Sequence, residues 1–179
     1  MLTGKFGFIE TIGTLPKLVA ASLNYLGLRE TPGTGNNNPV IMNMAKELGI
    51  SHIYKNDEVA WCALYMCFLC HITGKPMPFE SYDILRAKSF EKWGSPVDVP
   101  QFGDVLVFSR PEGAHVGLYI AESKTTFFVL GGNQSNSVNI TEILKSRLTA
   151  SRRYYATAPP ASVKKYVMGS TGVISKNEA

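Results

Sequence analysis

The two residues in this chain best suited to covalent chemistry are Cys62 and His115. Cys62 falls in Asn56-Asp57-Glu58-Val59-Ala60-Trp61-Cys62-Ala63-Leu64-Tyr65-Met66-Cys67-Phe68-Leu69-Cys70-His71, which opens on helix-starting polar residues and then runs apolar on every side. A helix that is apolar all round is a buried one. The pattern predicts such a helix with the thiol near its N-terminal end, one turn after Asp57. There the positive end of the helix dipole favours thiolate. The competing reading is a small core residue, because free cysteine is commonly buried.

A cysteine nucleophile needs a base within hydrogen-bond reach and usually a third group to orient that base. The chain offers three histidines. His71 closes the Cys62 helix, roughly 13 Å away along the axis at about 1.5 Å per residue. His52 lies in the loop just before the helix and stays open as an alternative. His115 opens an expected strand after Gly113-Ala114, where a side chain projects from a sheet edge toward a helix end. A histidine at a strand start is also an ordinary half-exposed structural residue.

The elements that must bring these residues together follow from periodicity and punctuation. Leu15, Leu18, Val19, Leu23 and Leu26 have helical spacing, with Pro16 suited to a first turn and Gly27 to a stop. A polar loop, Arg29 to Asn38, is dense in glycine and asparagine. Asn38-Pro39 reads as N-cap and first helical residue and Gly49 as terminator, giving a helix over about 39–48. Ser81 is expected to cap a further helix reaching about Trp93, and residues 1–13 receive no element. After Gly94 the apolar runs shorten. Strands are expected at 104–108, 115–120 and 125–130, rich in β-branched and aromatic residues, with others at about 137–140 and 151–156. Helices first and an antiparallel sheet afterwards make an α+β domain. A single catalytic domain is expected over 1–156, its core at about 15–155, with 157–179 as a tail or docking segment.

The net charge of +4 is mild and lysine and arginine form no long run, so nucleic-acid binding is not expected. The three cysteines crowd into nine residues, which argues against a disulfide framework. No apolar run approaches the length of a membrane span, so stable insertion is not expected. The N-terminus shows no Sec-type signal. Cys67-Phe68-Leu69-Cys70-His71 fits the haem-attachment pattern C-x-x-C-H, but it sits inside an apolar helix where both cysteines read as core. Neither cofactor nor metal is expected.

Four pieces occur in order: Asp57-Glu58-Val59-Ala60-Trp61-Cys62-Ala63, Gly103-Asp104-Val105-Leu106-Val107-Phe108, Ala114-His115-Val116-Gly117-Leu118-Tyr119 and Gly131-Gly132-Asn133-Gln134-Ser135-Asn136. Together they resemble the CHAP and NlpC-type papain-like cysteine hydrolases of bacterial cell walls. The resemblance is to a phage and prophage endolysin-like subgroup, which Gly27-Leu28-Arg29-Glu30-Thr31-Pro32-Gly33 with Asn36-Asn37 also fits. It covers about residues 15–155. It implies Cys62 as nucleophile, His115 as general base and a polar residue after the next strand, Asn133, to orient the imidazole. Gln134 and Asn136 are the near alternatives, and Gly-Gly-Asn is also ordinary turn chemistry. The backbone N–H of Cys62 is the natural first oxyanion donor.

The resemblance further implies cleavage of an amide in peptidoglycan, by an endopeptidase or an N-acetylmuramoyl-L-alanine amidase, for phage lysis or entry. The expected partner is bacterial peptidoglycan, with other virion or lysis proteins as further partners. The protein would be made in the cytoplasm and reach the wall through a holin-type route or within a virion. Glu58, Asp57, Trp61, Asn36 and Gln134 are candidate substrate contacts. Glu58, four residues before Cys62, would share its helical face and oppose a thiolate there, or meet an ammonium of the stem peptide. Both acids also suit a plain helix N-terminus, and Asp104 suits structural capping. The alternative function is a catalytically silent wall-binding or virion structural module with the same fold.

Overall fold

The structure, a computed structural model, describes residues 4–33, 35–77 and 81–175. Three helices precede the sheet: α1 (Lys17–Leu23), α2 (Pro39–Glu47) and α3 (Cys62–Ile72). The strands are β1 (Ser95–Pro96), β2 (Val105–Arg110), β3 (Gly113–Glu122), β4 (Thr126–Gly131), β5 (Asn139–Leu144) and β6 (Leu148–Arg153). They form one antiparallel sheet in the order β1-β6-β2-β3-β4-β5. The protein is therefore α+β, with helices gathered on one side of an antiparallel sheet.

The helix signals act as their chemistry requires. Asn38 caps α2 by accepting from the Val40 N–H at 2.9 Å, and Pro39 occupies the first helical position. Gly49 stops that helix at φ 72°, a conformation glycine adopts without penalty. In α3 every residue from Cys62 to Cys70 is buried, so the helix is the central strut of the main core. Alternate residues of the sheet serve two cores. Val105, Val107, Val116, Leu118 and Leu130 face the helices. Leu106, Phe108, Tyr119, Phe127, Val129 and Ile143 form a smaller cluster on the other face. Register shifts at Val107/Phe108 and Tyr119/Ala121 let the strands curl enough to fill both.

Three expectations differ from what forms. Residues Gly4–Glu10 make a 3-10 helix whose Phe6 and Phe8 pack edge-on against Phe128 and Phe102. The glycines there obscured a short apolar period. The helix expected from Ser81 to Trp93 is two 3-10 turns, Ser81–Leu85 and Ala87–Lys92, with Arg86 extended between them. A side-chain cap by Ser81 lies outside what is described. The third difference concerns α3, which begins at Cys62 itself, with Trp61 as its N-cap. Residues 56–60 do not join it. Asp57 Oδ2 accepts the N–H groups of Thr31 (3.2 Å) and Asn38 (2.7 Å), and Asn37 accepts the Asp57 N–H at 2.8 Å. These cross-loop bonds occupy the Asp57 carboxylate that would otherwise cap a helix starting there.

Residues 157–175 run back over the body. Tyr166 packs against Phe8 and Phe102, and Ser162 donates to the Thr14 carbonyl at 2.6 Å. Buried Glu142 on β5 accepts from Thr126, Ser170 and Thr171 and pairs with Lys5. Burial alone would raise its carboxyl, but the hydrogen bonds outweigh that and bring the pKa from 4.5 to about 2. A depressed pKa stabilises the fold above the unfolded value and loses that contribution as pH falls through the folded one. Glu142→Gln is thus expected to lower the melting temperature at neutral pH. The gap to wild type should shrink between pH 4.5 and about 2, read by thermal denaturation across that range.

Candidate active site

Cys62, as the first residue of α3, has its own N–H and that of Ala63 directed at the sulfur. Neither is used by the helix, since the first turn has no carbonyl partners for them. A third backbone donor, the N–H of Val116 on β3, also reaches the sulfur. The thiol therefore meets the sheet at the residue next to His115. Burial pushes the Cys62 pKa up. The Val116 N–H, the positive charge of Arg110 and the two helix N–H groups act in the opposite direction without overcoming it. At neutral pH the sulfur is a thiol, so attack on a carbonyl requires a base.

His115 is fully buried on β3, opposite Phe108 of β2. Its Nε2 lies 3.1 Å from Gln134 Oε1. The Gln134 amide can be oriented only one way, because its Nε2 donates to the carbonyls of Val129 (3.1 Å) and Asn139 (2.7 Å) and to Asn139 Oδ1 (3.1 Å). Its oxygen must then accept from the imidazole, which fixes the proton on His115 Nε2 and makes Nδ1 the basic nitrogen of the neutral ring.

Asn133, expected at this position, does something else. β4 ends at Gly131, and Asn133 adopts φ 58°, a left-handed conformation that asparagine tolerates. That turn aims its amide at the opposite wall, where Nδ2 donates to Glu30 Oε1 (3.0 Å) and Oδ1 accepts from the Trp61 N–H (3.2 Å). The next residue, Gln134, then faces His115. Ser135 and Asn136 are left-handed too, at φ 50° and 59°. Bonds from Ser137 Oγ and Asn139 Nδ2 to the Gln134 carbonyl, 3.1 and 2.7 Å, hold this strained turn.

Glu30, which the sequence reading did not single out as a site residue, is the second anchor. It also accepts from Trp61 Nε1 at 2.7 Å. Burial raises its pKa, the Trp61 hydrogen bond opposes this, and Asp57 and Glu58 add to the rise. The Trp61 ring is buried edge-on to Tyr65, so it supports the site from behind and does not face substrate. Asp57 is likewise buried in the loop clasp described above. Asn36 donates to the Pro32 carbonyl and closes its own loop. Glu58 alone of the acidic candidates is exposed. It lines a cavity of about 560 Å³ with Glu30, Arg29 and Asn136, not the helical face expected for it. Asp104 is structural: it accepts from the Gln101 N–H and pairs with Arg153 at 2.7 Å.

Access to the sulfur is from the other side of residue 60. A groove of about 290 Å³ is lined by Ala60, Cys62, Ala87, Arg110, Gly113 and Ala114, with Arg86, Lys88 and Glu112 at its rim. A second cavity, about 540 Å³, lies by Thr73 and Gly74 at the opposite end of α3, away from the thiol. Cys67 and Cys70 are buried within α3, Cys67 directed at the Ile84 carbonyl, whereas His71 is exposed. Among the described residues no group of three His, Cys, Asp or Glu is placed to hold a metal ion, and no helix is long and apolar enough to cross a membrane.

The approach of the Gln134 turn to α3 depends on Gly132. A Cβ there would lie 2.7 Å from Trp61 Cζ3 and 2.9 Å from Tyr65 Cβ. Gly132→Ala is expected to cost about 1–3 kcal/mol through overpacking, read as a lowered melting temperature. The turn that carries Gln134 should loosen with it.

No protein-family model matches the chain, and no curated protein matches it.

Proposed function

We propose that this chain is a papain-like cysteine hydrolase that cuts an amide bond in the peptide portion of bacterial peptidoglycan. The reading joins the ordered motif resemblance to one geometric observation. A thiol opens a buried helix against the Val116 N–H, next to a histidine whose Nε2 proton is held by Gln134. In the reaction His115 Nδ1 takes the thiol proton, Cys62 Sγ attacks the substrate carbonyl, and the Cys62 N–H stabilises the oxyanion. His115 returns the proton to the leaving amine, and water then releases the acyl-enzyme. The orienting role belongs to Gln134 in place of Asn133.

Both an endopeptidase cutting the stem or cross-bridge and an amidase cutting before L-alanine fit this chemistry, and we favour the endopeptidase. The reaction needs no cofactor. The substrate places the protein at the bacterial wall, delivered through a holin-type route or in a virion.

One observation favours a second reading, a silent wall-binding or virion module: the Cys62 thiol is buried and its pKa is raised by that burial. Turbidity of permeabilised bacteria separates the two. The hydrolase reading expects wild type to clear the suspension and Cys62→Ala to leave it turbid. Equal clearing by both would exclude the thiol mechanism, and clearing by neither, with wall binding retained, would favour the silent module.

A further inference from the structure

Arg110 ends β2 on the wall of the groove that opens at Cys62. Two half-buried cations have carboxylate partners, Arg153 with Asp104 at 2.7 Å and Lys145 with Glu122 at 2.7 Å, while Arg152 donates to the Glu91 carbonyl away from the groove. The Nε of Arg110, like that of Arg152, is buried with no hydrogen bond among the described residues, but Arg110 alone of the two lines the groove at Cys62. A buried donor left in that state is costly, and the position favours an incoming acceptor. Gly113 beside it holds φ 137°, and a Cβ there would stand at ordinary contact distance, 3.9 Å from Arg110 Nε. At the same rim lie the exposed Lys88, the exposed Arg86, which pairs with Asp83 at 3.5 Å, and one exposed acid, Glu112.

We infer that Arg110 is a specificity residue that receives a carboxylate of the substrate next to the bond attacked by Cys62. A planar guanidinium on a groove wall matches a carboxylate in two-point geometry, which a carboxamide cannot reproduce with the same strength. The substrate of this groove therefore carries a free carboxylate on the side of the scissile amide that lies over β2, as a peptide ending in an unamidated acid does. The inference rests on the hydrolase reading, in which the groove leads substrate to the sulfur. Arg110 also lies close enough for its charge to favour thiolate at Cys62. The test must separate that effect from recognition.

Iodoacetate and iodoacetamide do so, since they alkylate the same sulfur and differ in charge. Any change in thiolate fraction affects both rates equally and cancels in their ratio. With the full chain, alkylation of Cys62 is located by peptide mass spectrometry and timed with each reagent. Arg110→Met and Arg110→Gln, each checked for a native melting transition, are expected to lower the iodoacetate-to-iodoacetamide rate ratio by roughly tenfold relative to wild type, the scale of one charge-assisted hydrogen bond. Arg110→Lys, which keeps the charge and loses the fork, should fall between. A ratio unchanged in both neutral variants, with Cys62 still alkylated, overturns the carboxylate role and leaves the hydrolase reading standing. No alkylation of Cys62 by either reagent in native protein overturns both.

Discussion

His115→Gln is expected to lower kcat/KM at neutral pH by roughly 10⁴-fold, the scale set by removing the base from a nucleophile–base pair. The size of the loss follows from the thiol. Because burial raises the Cys62 pKa, little thiolate exists near neutrality, and the helix N–H groups do not reverse this. Without a base the variant must rely on that small ionised fraction. Its residual rate should climb about tenfold per pH unit below the thiol pKa, because each unit multiplies the thiolate fraction tenfold. Wild type should show a much shallower rise in the same range. Glutamine retains a polar side chain beside Gln134, so the fold survives. A flat pH profile in the variant would mean that the sulfur is ionised at rest, contrary to its surroundings.

Gln134→Leu carries the second large effect, a loss of roughly 10²-fold in kcat, as expected for a residue that orients a catalytic imidazole. It also removes the donors to the Val129 and Asn139 carbonyls, so the melting temperature should fall too. Gln134→Glu loses the same donors, but it reports orientation through the pH profile, which a fall in stability does not move. It keeps an acceptor on His115 Nε2 but makes it anionic, which stabilises imidazolium and raises the histidine pKa. The base must be neutral to act, so the acidic limb of the kcat/KM profile should move to higher pH. Asn133→Ala is expected to leave that limb in place while loosening the Glu30 and Trp61 contacts. A shifted limb in Asn133→Ala and an unshifted one in Gln134→Glu would return the orienting role to Asn133.

Periodicity and punctuation made much of the architecture legible. The all-round apolar run at 62–70, the Asn38-Pro39 cap and the short β-branched runs after Gly94 each act locally, and each formed near its expected bounds. What the sequence hid was set by contacts between distant segments. Asp57 looks like a helix starter until Thr31 and Asn38 bring it their N–H groups, which moves the helix start to Cys62 and takes Glu58 off its face.

The exchange of Gln134 for Asn133 has a similar origin. In Gly-Gly-Asn-Gln-Ser-Asn the polar residues are all eligible, and left-handed backbone at 133, 135 and 136 decides which side chain faces the imidazole. Three residues with asparagine or serine at positive φ are a tertiary outcome, stabilised by Ser137 and Asn139. Glu30 and Arg110 escaped notice for a simpler reason. A single charged residue in a loop or at a strand end has no periodicity, and only the packing around Trp61 and the groove gives either one meaning.

Mass spectrometry of muropeptides shows whether Cys62 cuts an amide of the wall. Purified peptidoglycan is digested with wild type and with Cys62→Ser, and the fragments are compared for new amine and carboxyl ends. One newly hydrolysed amide is expected in the wild-type digest, absent from the variant, with the carboxyl-side product bearing a free acid. The same cleaved amide in both digests would contradict the thiol mechanism.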